Sequence, residues 1–117
     1  TGWMVHQAME AADRLGQEGI EVEVVDPRCL APFDKATVFA SVRKTHRVLV
    51  VHEDTRTGGL AGEITARINE HCFEWLDAPV LRVTAHDVPL PFAPVLEDRV
   101  LPQTSDIVLA VKRLVAY

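Results

Sequence analysis

"RVLVVHEDTRTGGLAGEI", residues 47–64, is the stretch on which the fold turns. Its first five residues, "RVLVV" at 47–51, are a near-continuous apolar run. A strand covered on both faces in a parallel sheet has this composition, because helices pack above and below it. His52, Glu53 and Asp54 come next, then Gly58 and Gly59. Ile64, Ile68 and Cys72 follow at helical spacing. The stretch therefore reads as strand, turn and helix.

A strand end followed by glycines and a helix N-terminus is a common ligand site in α/β proteins. Here the pattern is G-G-x-x-G, which is neither a dinucleotide fingerprint nor a phosphate loop with its lysine and hydroxyl. Neighbouring strand residues point to opposite faces, so only His52 and Asp54 can share a side as metal ligands. Glu53, on the other face, is placed to hydrogen-bond backbone groups at the turn. The plainer reading is that His52, Glu53, Asp54, Gly58 and Gly59 set up a turn and an interface.

Toward the N-terminus, Val5, Ala8, Met9, Ala12 and Leu15 recur at helical spacing, which predicts a helix over about 3–16, ended near Gly19. "IEVEVVD", residues 20–26, alternates and is rich in β-branched residues, so it reads as a strand. "PRCLAPF" turns the chain, and Asp34 stands at the start of a helix over "KATVFASVRKT". Toward the C-terminus, "LDAP" (76–79) closes the central helix and "VLRVT" (80–84) is another strand. "HDVPLPFAPVLEDRVLP" carries four prolines and reads as an irregular excursion. Ser105 stands where it would cap a last helix whose apolar positions are Ile107, Val108, Val111, Leu114 and Val115.

Helices and strands alternate, which defines a three-layer α/β/α sandwich with a mainly parallel sheet. The chain opens directly on a helix, and Thr1 and Gly2 look like the end of an absent strand. A fragment of a longer polypeptide, lacking N-terminal strands, is the expectation. "EVEVV" and "RVLVV" should then flank either an unfilled slot or a strand from another chain.

The bulk numbers narrow the function. A chain of 117 residues holds one domain. Its formal net charge of −5 argues against a nucleic-acid partner and suits a basic protein. Cys29 and Cys72 have no metal or redox spacing and read as reduced thiols. No signal peptide or membrane-length apolar run is present. Histidines at 6, 46, 52, 71 and 86 are scattered, and there is no nucleophile elbow. His46 and His71 read as surface positions, and His86–Asp87 as a structural pair. Trp3, Phe73, Trp75 and Phe92 read as core or interface aromatics. A free-standing α/β ligand-binding module using the His52–Gly59 turn remains an alternative of another class.

Longer segments carry a resemblance. "GWMVHQAMEAADRL", "IEVEVVDPRCLAPFD", "SVRKTHRVLVVHED", "GGLAGEI" and "FEWLDAPVLRVTAHDVPLPFAPVLED" follow one another from residue 2 onward. In that order and spacing they resemble the C-terminal domain of the beta subunit of 2-oxo acid dehydrogenase decarboxylating components, which is transketolase C-terminal domain-like. "HEDTRTGG" and "CFEWLDAP" look most like the branched-chain (2-oxoisovalerate) type, while "VTAHDVPLPFAPVLED" suits pyruvate dehydrogenase as well. Pro27 and Cys29 depart from the family's usual leucine and threonine.

The resemblance implies a thiamine diphosphate and Mg2+ enzyme, assembled as a heterotetramer with an alpha subunit and a second beta subunit. It oxidatively decarboxylates 2-oxo acids and acylates lipoyl groups. It works in the bacterial cytoplasm or the mitochondrial matrix, with no nucleic-acid or membrane partner. The cofactor's G-D-G motif and the activating glutamate are not in this chain, so the cofactor is expected to bind elsewhere and the chain alone to be inactive. What the resemblance assigns to this domain is subunit assembly and docking of the basic subunit-binding domain of the acyltransferase core. By position, Asp77 and the terminal carboxylate of Tyr117 are its partner-binding groups.

Overall fold

The computed structural model describes residues 2–25, 35–55, 60–85 and 102–117. Its helices are α1 (Gly2–Gln17), α2 (Lys35–Thr45), α3 (Leu60–Cys72) and α4 (Thr104–Val115). Its strands are β1 (Leu49–Thr55) and β2 (Leu81–Ala85), and one 3-10 turn, Phe73–Trp75, extends α3.

Each helix ends for a local reason. At α1 the Ile20 amide donates to the Leu15 carbonyl at 2.9 Å, and Gly19 takes φ 83° between them. That is a Schellman stop, and glycine enters the left-handed region without a Cβ clash. At α2 the same place falls to His46, with φ 65°, whose amide bonds the Val42 carbonyl at 2.8 Å. A non-glycine residue there is strained and needs outside support. At the start of α4 the cap is Gln103, whose amide donates to Asp106 Oδ2 at 2.9 Å. Ser105, expected as the cap, lies exposed inside the first turn. The capping box works from two positions earlier.

β1 and β2 pair in parallel, with Leu49 opposite Leu81 and Val51 opposite Val83, and α3 makes the crossover. One face of this sheet packs on α1 and α4 through Ala11, Leu15, Ile107 and Val111, which receive Leu49, Val51 and Val83. The other packs on α2 and α3 through Val42, Ile68 and Cys72, which receive Val48 and Val80. The three-layer α/β arrangement is thus as the alternation of elements implies, and "RVLVV" is apolar because both its faces are covered.

Two boundaries differ from expectation. β1 starts at Leu49 and continues through Thr55, so His52, Glu53 and Asp54 belong to the strand and not to the turn. Between the pairs Val51–Val83 and Thr55–Ala85, β1 uses two more residues than β2. An irregularity of this kind suspends simple two-sided alternation along this part of β1.

The larger correction concerns residues 20–25. They alternate as a strand should, with Ile20 and Val22 packed on the α1–α4 cluster and Glu21 and Glu23 exposed. Yet they join no ladder; among the described residues the sheet has two strands. Alternation reports that one face is buried, but a strand also needs a neighbour within hydrogen-bonding distance. A cleft of ≈ 380 Å³ has Val22, Val24, Leu49 and Val51 among its lining residues. The Leu81 amide donates to the Val48 carbonyl at 3.2 Å, so Val48 and Val50 address β2. By alternation, Leu49 and Val51 direct their main-chain groups at the cleft. The expected slot between "EVEVV" and "RVLVV" bears on this cleft: among the described residues the two runs line it together and share no ladder.

Several expectations lie outside the described residues: Asp34 as a cap, Cys29, Gly58 and Gly59, the His86–Asp87 pair and Phe92. The side chains of Trp3, Glu53 and Asp54 lie outside them too. No described helix is long and apolar enough to cross a membrane.

Candidate partner-docking site

Arg47 follows directly on the strained His46, at the junction of α2 and β1. Its guanidinium reaches three places. Nε donates to the Leu114 carbonyl at 3.0 Å and Nη2 to the main-chain oxygen of Tyr117 at 3.2 Å. Nη1 lies 3.9 Å from Asp77 Oδ2. The first two contacts serve the C-terminal turn of α4, where the Leu114 carbonyl also accepts from the Tyr117 amide at 3.3 Å and the helix dipole favours a cation. The third is long, and Asp77 is 57% exposed, so as an ion pair it adds little to stability.

His46 supports the same corner. The Asp77 amide donates to the His46 carbonyl at 2.8 Å. The His46 Nδ1 lies 2.7 Å from the Trp75 carbonyl, which can only accept, so Nδ1 carries the proton. The two rings stack with centroids 6.4 Å apart. These bonds fix the left-handed residue at 46 and tie the turn after α3 to the start of β1. Around the corner the surface is apolar as well as acidic: Phe73 is 74% exposed, Tyr117 60%, and Trp75 and Val115 are also exposed.

The two residues expected to bind a partner, Asp77 and Tyr117, therefore meet on one guanidinium. Arg47, His46 and Trp75 were not singled out for this by the sequence, since nothing local signals a contact spanning 70 residues. His71 sits in the last turn of α3, exposed, with its ring 5.2 Å from that of Phe39. His52 is half-buried in β1. Cys72 is fully buried, and desolvation pushes its thiol above the ordinary range, partly offset by Arg43. Among the described residues no three His, Cys, Asp or Glu side chains gather as metal ligands.

This fold and corner define a domain class that comparison with known proteins makes explicit. The family "Transketolase, C-terminal domain" matches residues 1–107, and the chain belongs to it. Among its relatives is the pyruvate dehydrogenase E1 component subunit beta-1, mitochondrial, of Arabidopsis thaliana, 48% identical over 110 residues, which are 94% of this chain and 30% of that protein. The subunit beta-2, mitochondrial, of Oryza sativa subsp. japonica is 47% identical over 94% of this chain and 29% of its own length. The acetoin:2,6-dichlorophenolindophenol oxidoreductase subunit beta of Bacillus subtilis is 44% identical over 92% of this chain and 31% of its own. The chain spans less than a third of the length of these relatives.

Proposed function

We propose that this chain is the C-terminal domain of the beta subunit of a 2-oxo acid dehydrogenase decarboxylating component, of the pyruvate type. The observation that carries the reading is 47–48% identity over almost the whole chain to pyruvate dehydrogenase beta subunits. The branched-chain type, which "HEDTRTGG" and "CFEWLDAP" favour, becomes the second reading. Pyruvate and acetoin names among the relatives weigh against it. The organelle is left to the segments outside this domain, because plant relatives bear both mitochondrial and chloroplastic names.

In the assembled enzyme, thiamine diphosphate with Mg2+ supplies the carbanion chemistry. The described residues do not fit that group: they bring together no three metal-ligating side chains, and the sequence has no G-D-G motif. No chemical step is assigned to this chain. Its work is pairing with a second beta subunit and an alpha subunit, and docking the basic subunit-binding domain of the acyltransferase core. Asp77 and the Tyr117 end of α4 receive that partner's cations, and the exposed aromatics beside them supply apolar contact. Charge-assisted pairs of this sort are geometrically selective and speed encounter with a basic partner. The free-standing ligand-binding alternative has no further support among the described residues. Calorimetry with nucleotides separates it, since the assembly reading gives no binding heat.

The test of the substrate class uses the full polypeptide carrying this domain, co-purified with its alpha subunit. Turnover of pyruvate should exceed that of 2-oxoisovalerate. The reverse preference restores the branched-chain reading, and no turnover of either removes both.

A further inference from the structure

We propose that Arg47 is the positioning residue of the docking corner, holding Asp77 and the C-terminal end of α4 in one fixed relation to each other. The inference rests on the docking role given to Asp77 above. It adds that the recognition of a cationic partner depends on a third residue that never touches the partner.

One planar guanidinium offers five donors in a fixed fork. Arg47 spends it across three elements that meet nowhere else in the sequence: the entry to β1, the turn after the 3-10 helix, and the end of α4. Arg47 is itself only 35% exposed, so the fork is braced by the surrounding chain. It approaches Oδ2 of Asp77, while Oδ1 has no hydrogen bond among the described residues. The Asp77 backbone is held separately, through its amide, by His46. A carboxylate whose backbone is fixed and which faces a held cation at 3.9 Å meets a partner with part of its rotamer freedom already lost.

Two opposed effects follow from this placement. The positive charge of Arg47 partly masks Asp77 from a cationic partner, and its two hydrogen bonds hold the end of α4 beside Asp77 for that partner. At 57% exposure the masking and the attraction to Asp77 are both screened by water and salt, whereas the hydrogen bonds to α4 persist, so placement outweighs masking. Ordering one side chain corresponds to a change in affinity of roughly 2- to 10-fold.

The experiment is a double-mutant cycle. Surface plasmon resonance measures binding of the acyltransferase's subunit-binding domain to the assembled enzyme, well below the melting temperature of every variant. Arg47→Met, which keeps the stem packed, should weaken binding by roughly 2- to 10-fold, through faster dissociation. Arg47→Lys should recover part of the loss, because one ammonium cannot serve three acceptors in the fork's geometry. In an Asp77→Asn background, Arg47→Met should change affinity much less. Equal effects in both backgrounds would mean that Arg47 acts on stability alone and would overturn the proposal. Tighter binding by Arg47→Met would overturn it in favour of masking. If Asp77→Asn alone leaves affinity unchanged, the docking reading fails and the proposal with it. If Asp77→Asn weakens binding while neither Arg47 variant does, docking stands and positioning falls.

Discussion

Arg47 Nε donates to the Leu114 carbonyl at 3.0 Å, across 67 residues of sequence. That bond closes the last helix onto the entry to β1. The Leu114 carbonyl also accepts from the Tyr117 amide at 3.3 Å, so it keeps a weaker, main-chain partner if the arginine is lost. Arg47→Ala should destabilise the domain by about 1 kcal/mol, the loss of a charge-assisted bond whose acceptor stays partnered. Urea unfolding of the 117-residue chain measures this. An unchanged midpoint and slope would mean that water caps α4 equally well.

The cleft beside β1 makes a prediction about exchange. The amide of Leu81 bonds to Val48, while Leu49 and Val51 direct theirs away from β2. In the 117-residue chain, the Leu49 and Val51 amides should therefore exchange with solvent deuterium much faster than that of Leu81. Equal protection at all three would show that residues 20–25 close on β1 and that the cleft does not persist in solution.

Cys72 gives a pH prediction with a definite sign. Burial raises its thiol above the ordinary range, so the folded state favours the protonated form more than the unfolded state does. That contribution to stability is complete below the ordinary thiol range and is lost as pH rises through the folded value. Stability should fall in alkaline solution, and Cys72→Ser should remove part of that slope. Alkylation of Cys72 by iodoacetamide, read at its own peptide by mass spectrometry and so apart from Cys29, should likewise be slow in the native chain and fast in urea. Rapid native labelling at Cys72 would contradict its burial against α2.

The layers of this domain were legible because helical and two-residue periods survive in short windows. Leu15 and Ile68 belong to helical stripes and are fully buried in the structure. "RVLVV" announced a strand covered on both faces, and both clusters do cover it. Residues 20–25 misled because their alternation reports burial of Ile20 and Val22, whereas pairing depends on a neighbour that no window contains. The cap of α4 misled for a smaller reason: serine is the better intrinsic cap, but the Gln103–Asp106 box already uses the position two residues earlier. At the docking corner, Asp77 and Tyr117 were named through a family resemblance. That they share Arg47 is a contact between distant parts of the chain, written in no local pattern.

The proposed role of the domain as an acidic dock for a basic partner rests on Asp77 and the end of α4 at Tyr117. The direct measurement is surface plasmon resonance of the acyltransferase's subunit-binding domain on the assembled enzyme at low and high salt. Affinity should fall as salt rises, because the contacts are partly exposed charges. Asp77→Ala should weaken binding by about 1 kcal/mol, toward the lower end of the range for such pairs given its exposure. Thermal unfolding should barely move with that substitution. Affinity that is indifferent to salt and to Asp77→Ala would contradict a dock at this corner.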